Sequence, residues 1–222
     1  MNRIIKKSAL ALAAIGLFAS ASAQADSLVL EQDINSLSFN VDVSGTTHDV
    51  VAGAFSVNNL TSGSSFLAFC FELLQGVNTG TLTPPGLDFT AGSAASADTQ
   101  TLFNQSFSGL NLNSAVELAG FQIALWETLD NNDLYSGNYS NWTGASSSSE
   151  ETDALDTAWI FLEKLTANDP ATGSYNLTTW SNATSQDLIQ ASTPGTNVPE
   201  PASLTLGALG LAGLAAARRR KA

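Results

Sequence analysis

Ser65-Phe66-Leu67-Ala68-Phe69-Cys70-Phe71-Glu72-Leu73-Leu74 is strongly apolar and aromatic. It reads as a central β-strand buried on both faces. Gly76, Gly80, Pro84, Pro85 and Gly86 follow and break the pattern into loop. Upstream, Ser36 to Val43 alternates polar and apolar residues, the period of a half-buried strand. His48 to Leu60 continues in that style, with Val51, Phe55 and Val57 as its apolar positions. Downstream the period changes. Ser96 to Phe107 reads as a short helix. Ser114 and Glu117 fit a capping box that opens a helix running to about Leu129, with Val116, Ala119, Ile123 and Trp126 at helical spacing. Asn138 to Ser149 is a Ser- and Gly-rich loop. Glu150 to Ala167 is a second clear helix, with an apolar stripe of Leu155, Trp159, Leu162 and Leu165. Tyr175 to Trp180 and Asp187 to Ala191 return to strand. Strands, then helices, then strands predict an α+β fold: a β-sandwich or barrel-like sheet with a helical segment inserted over residues 96–167.

The two ends of the 222-residue chain have a different character. Arg3, Lys6 and Lys7 precede an apolar run from Ser8 to Ala19 and a small-residue exit, Ala21-Ser22-Ala23-Gln24-Ala25. Basic, apolar and small in that order is a secretory signal peptide, with cleavage expected after Ala25. At the other end, Val198-Pro199-Glu200-Pro201 leads into an apolar or small stretch, Ala202 to Ala217, closed by Arg218-Arg219-Arg220-Lys221. About 16 residues at 1.5 Å each span roughly 24 Å, a short transmembrane helix. The basic cluster is a stop that stays cytoplasmic. Proline on both sides of Glu200 keeps that segment extended and accessible to a protease. The domain plan is therefore a signal peptide (1–25), one mature domain (26–191), a linker (192–197) and a tail (198–222).

Charge supports export and excludes one partner class. Seven of the eight Lys and Arg lie in the two ends, leaving Lys164 alone against nineteen acids in residues 26–197, a net charge of −18. Nucleic acid is excluded, because gripping phosphate needs Lys and Arg. The acid load keeps an exported protein soluble.

The tail resembles the PEP-CTERM sorting signal of Gram-negative bacteria, in its Val-Pro-Glu-Pro motif, short apolar helix and Arg-rich end. The resemblance implies recognition by an exosortase, cleavage near Pro199-Glu200-Pro201 and delivery to the cell surface or extracellular matrix. Until cleavage the chain would be held in the inner membrane.

Cys70 is the only cysteine, so an internal disulfide is unavailable, and the thiol is either a small buried hydrophobe or chemically used. Gln122 sits among apolar neighbours in Phe121-Gln122-Ile123-Ala124-Leu125-Trp126-Glu127, where a carboxamide needs a partner. Together with Phe69-Cys70-Phe71-Glu72, this segment resembles the thioester domains of Gram-positive surface adhesins and related PEP-CTERM proteins. Phe121 stands where the adhesins have Thr. The resemblance implies that Cys70 and Gln122 are joined side chain to side chain. It also implies a non-enzymatic protein whose target bears an amine on a surface or matrix. The alternative is a passive structural or carbohydrate-binding matrix component.

Other constellations are weaker. His48 is the only histidine, which leaves no Ser-His-Asp triad or multi-histidine metal site, and no cofactor is implied. Asp130-Asn131-Asn132-Asp133 lacks the spacing of a Ca²⁺ loop and reads as a helix-ending turn. Glu72 and Glu127 are a remote candidate for a glycosidase carboxylate pair. Among the tryptophans, Trp126 and Trp159 lie on helical apolar stripes and read as core. Trp142, in a polar loop, is the candidate for stacking on a sugar.

Overall fold

The structure, a computed structural model, describes residues 25–93 and 95–195. The signal-peptide segment up to Gln24 and the sorting tail, with Val198, Pro199, Glu200, Pro201 and Arg218 to Lys221, lie outside the described residues.

Seven strands are built: β1 (Asp26–Val43), β2 (Thr46–Asn59), β3 (Ser64–Cys70), β4 (Leu87–Gly92), β5 (Tyr139–Gly144), β6 (Asn176–Asn182) and β7 (Ser185–Ser192). Their order is β2-β3-β7-β6-β4-β1-β5, and β1 also pairs with β2. Six strands therefore close on themselves, and every described pairing is antiparallel. Closure removes the exposed edges that an open sheet would carry. The long strand β1 makes this possible by bending. Register shifts fall between Leu30 and Gln32 and between Ile34 and Leu37, with Asn35 at φ 47. The first part of β1 pairs with β4, and the last part pairs with β5 on the same side.

Two apolar cores result. Leu28, Leu30, Val57, Ala68, Phe89, Trp180 and Leu188 form one cluster, contributed by all six strands of the closed ring. The larger core lies between the sheet and three helices, α1 (Ala97–Ser106), α2 (Ala115–Glu127) and α3 (Ser149–Ala167). The expected α+β architecture is thus the observed one, a closed barrel with an inserted helical layer.

Several local expectations change. The polar stretch after Asn138 contains strand β5, because β1 offers it a free ladder. A further strand, β4, follows the Pro-Gly loop. β3 is buried only over its last three residues, while its first two are exposed. Ser114 caps α2, but the carboxylate of Glu117 accepts from the Asn111 N–H instead of returning to the cap. The complete capping box belongs to α3, between Ser148 and Glu151.

The buried face of α3 is also rotated from the expected stripe. Ala154, Ala158, Phe161, Leu162 and Leu165 point inward, while Trp159 is 38% exposed. The cause is close helix packing. Gly120 of α2 faces α3 so tightly that a Cβ there would lie 2.8 Å from two Thr157 side-chain carbons and 2.9 Å from the Ala154 carbonyl oxygen. Small residues must line that crossing, so the indole is turned out. Gly120→Val should therefore destabilise the fold by about 1–3 kcal/mol, as overpacking generally does. Chemical denaturation checks this; unchanged stability would mean the helices are not held at this spacing.

Candidate functional site

Helix α2 is the centre of the molecule. Ten consecutive residues, Leu118 to Glu127, are buried. A helix enclosed all round cannot leave a polar side chain unpaired without cost. Gln122 and Glu127 are its two polar residues that are fully buried, and each defines a feature of the site.

Gln122 meets Cys70. Strand β2 pairs with β3 only as far as Phe55 opposite Ala68. On the other side, β7 continues to Cys70 opposite Leu188, and the Phe71 N–H donates to the Asp187 carbonyl. Antiparallel strands turn successive residues to opposite sides, so Cys70 directs its N–H and C=O to the side that β2 has left. The carboxamide of Gln122 fills the vacancy. Its Oε1 accepts from the Cys70 N–H at 2.8 Å, and its Nε2 donates to the Cys70 carbonyl at 2.8 Å. Gln122 is completely buried and Cys70 is 3% exposed.

The residues just before each partner lock this meeting in place. Phe69 and Phe121 have ring centroids 4.9 Å apart. Phe103, Phe107 and Phe161 pack around them with centroid separations of 5.0 to 6.3 Å. Phe121 thus has a structural role of its own: it pins α2 to β3 in the register that sets Gln122 against Cys70. Cys70 also lines a cleft of about 430 Å³ together with Phe55, Leu73 and Trp126, which gives the sulfur's neighbourhood a route to solvent.

Glu127 meets Trp142. The Trp142 Nε1–H donates to Glu127 Oε1 at 2.6 Å, and the other carboxyl oxygen is buried with no hydrogen-bond partner. Burial pushes the Glu127 carboxyl up to about 8, against the opposing pull of the Trp142 hydrogen bond, and the Asp130 charge nearby pushes it the same way as burial. It is therefore protonated at neutral pH. The Trp142 ring stacks on Trp126, with centroids 6.0 Å apart and planes at 10°. Trp142 is 4% exposed, so the expected sugar-stacking role is overturned: strand pairing of β5 with β1 draws this residue inward, and its indole N–H serves a buried carboxyl. Sequence reasoning missed this contact, although the signal was present in Glu127, an acid embedded in an apolar helix.

The glycosidase pairing also fails. Glu72 is exposed while Glu127 is sealed and committed to Trp142. Desolvation and the neighbouring Asp187 raise the Glu72 carboxyl above its usual range. The acidic turn has a structural occupation as well, since Asp130 accepts from the backbone N–H groups of Asn138 and Tyr139. Among the described residues no group of three or more His, Cys, Asp or Glu is placed to hold a metal ion.

Comparison with known proteins adds an address. Residues 197–221 match the PEP-CTERM protein-sorting motif. The chain carries an exosortase sorting signal. It is an exported protein, held by a C-terminal membrane anchor until it is processed. Two solved structures overlap the folded domain. The N-terminal domain of the Streptococcus pyogenes pilus tip adhesin Cpa shares 13% identity over 78% of this chain and all of that one, with a TM-score of 0.40. The N-terminal thioester domain of fibronectin-binding protein SfbI from Streptococcus pyogenes shares 15% identity over 71% of this chain and 94% of that one, with a TM-score of 0.38. Both are distant likenesses. No curated protein matches the chain significantly.

The raised Glu127 carboxyl has a consequence for stability. Below about pH 4.5 the group is protonated in both folded and unfolded chains and contributes no pH dependence. Between there and about pH 8 the unfolded chain loses the proton and the folded one keeps it, so this group makes stability fall as pH rises. Glu127→Gln keeps an acceptor for Trp142 and removes the charge. Denaturation midpoints across pH 5 to 8, a range bounded by ordinary and buried carboxyls, should fall less steeply in the variant. Parallel profiles for both proteins would show that Glu127 ionises freely in the fold.

Proposed function

We propose that the domain forms an internal thioester between Cys70 and Gln122 and is displayed at a Gram-negative cell surface or matrix, where the bond serves covalent adhesion or crosslinking. One observation carries this reading: the side-chain carboxamide of Gln122, 52 residues away in sequence, is hydrogen-bonded to both backbone groups of the only cysteine.

The chemistry follows from that placement. The Cys70 sulfur adds to the Gln122 Cδ, and the carbonyl electron pair moves to Oε1. The Cys70 N–H already donates to that oxygen and so acts as an oxyanion donor, an arrangement that favours acyl transfer. The intermediate collapses, the C–N bond breaks, and ammonia leaves carrying the thiol proton. The product is an acylating group in an apolar setting that slows hydrolysis. An external primary amine then adds to the same carbon. An amide forms, the sulfur departs as a thiol, and the target is fixed to Gln122. Each molecule acts once, so this is not catalysis. The shortage of lysine favours it too, because Lys164 is the only lysine or arginine in the mature region.

The same two hydrogen bonds also suit a purely structural reading, in which Gln122 only completes a broken strand ladder. Intact mass separates the two. The exported wild-type protein should be lighter than its sequence by one ammonia, Cys70→Ala should have full mass, and methylamine should add to the wild type alone. A full-mass wild type with a titratable thiol would leave only the structural role.

A further inference from the structure

One donor beside this pair has no hydrogen-bond partner. The indole Nε1–H of Trp126 is buried without an acceptor, in a side chain that is 1% exposed. Leaving such a group unpaired costs about 1–3 kcal/mol, so its persistence at the heart of the fold calls for a function. Trp126 lies four residues after Gln122 on α2, one turn along the same helix face. It also lines the cleft that reaches Cys70. Its partner ring, Trp142, has its own N–H occupied by Glu127. The stack therefore holds Trp126 from behind, and its N–H is the unsatisfied one.

We propose that the Trp126 indole N–H is the second hydrogen-bond donor to the acyl oxygen of the Cys70–Gln122 thioester, paired with the Cys70 N–H, and that it sets the rate at which a primary amine opens the bond. This rests on the thioester reading above. When the amine nitrogen adds to the acyl carbon, the carbonyl electron pair moves to oxygen and the charge there develops between two N–H donors. When the intermediate collapses, the carbon–sulfur bond breaks and the proton from nitrogen passes to sulfur. A donor fixed before reaction needs no reorganisation as charge appears, so its benefit falls on the transition state. The N–H that lacks an acceptor before the bond forms is then given one by the acyl oxygen, and that contact strengthens as charge develops during opening.

The decisive variant is Trp126→Phe, which keeps a ring against Trp142 and removes the donor. In the full-length chain, the mass deficit of one ammonia should remain, while methylamine adds more slowly by roughly 10²-fold, the usual effect of losing one oxyanion donor. An unaltered rate with the deficit present would overturn the proposal and leave the thioester standing. A wild type lacking the deficit would overturn both. Should the variant fail to fold, the wild type supplies the reading by ¹⁵N-resolved NMR. The Trp126 indole proton should shift when methylamine opens the bond, whereas an unmoved signal refutes its contact with the acyl oxygen.

Discussion

Strand β2 parts from β3 before reaching Cys70, and the backbone N–H and C=O of that residue would be stranded in the interior. Two unpaired backbone groups would cost several kcal/mol. The carboxamide of Gln122 has one donor and one acceptor at the spacing of a peptide group, so it takes the place of the missing strand. This single substitution of side chain for backbone ties the barrel to the helical layer. It also brings a thiol-bearing residue and a carboxamide together in a setting that is almost wholly buried. A fold requirement and the proposed acyl-transfer arrangement fall on the same two residues.

The helix that supplies Gln122 is held by small-residue packing on one side and by aromatic packing on the other. Gly120 brings α3 close, and Phe121 enters the cluster around Phe69. Glu127 closes the same helix with a protonated carboxyl against Trp142. The polar groups of α2 are therefore not scattered through the core. They lie along one path, from the thiol at Cys70 through the carboxamide at Gln122 to the stacked indoles of Trp126 and Trp142. The apolar walls around Cys70 are the same walls that give the domain its core.

Particular residues show how far local reading reaches. The second half of β1, the strands β2, β3, β6 and β7 and the helices α1 to α3 were legible because period and caps are local properties of the chain. Cys70 and Gln122 were both legible as residues needing explanation, one as the single cysteine of the chain and the other as a carboxamide in an apolar run. Trp126 reads correctly as core, but two other tryptophans were misread in opposite directions. Trp142 has polar neighbours yet is buried, because β1 recruits its segment as a strand. Trp159 has apolar helical neighbours yet is exposed, because α2 and α3 pack through Gly120, Ala154 and Thr157 and turn it away. Burial is decided by which element covers a face, and that information is not carried by the residue's own neighbours.

The sequence by itself determined the export and sorting of this protein, since an address is read as a linear string by machinery that meets it unfolded or extended. It also determined the α+β class, through the order of its periodicities. Only the tertiary structure decided that the ladder breaks at Cys70 and that Gln122, 52 residues on, repairs it. It alone left the Trp126 N–H without an acceptor beside that repair. The physical reason is that hydrogen-bond satisfaction in a core is a condition on the whole packed chain, met or missed only after every strand and helix has taken its place.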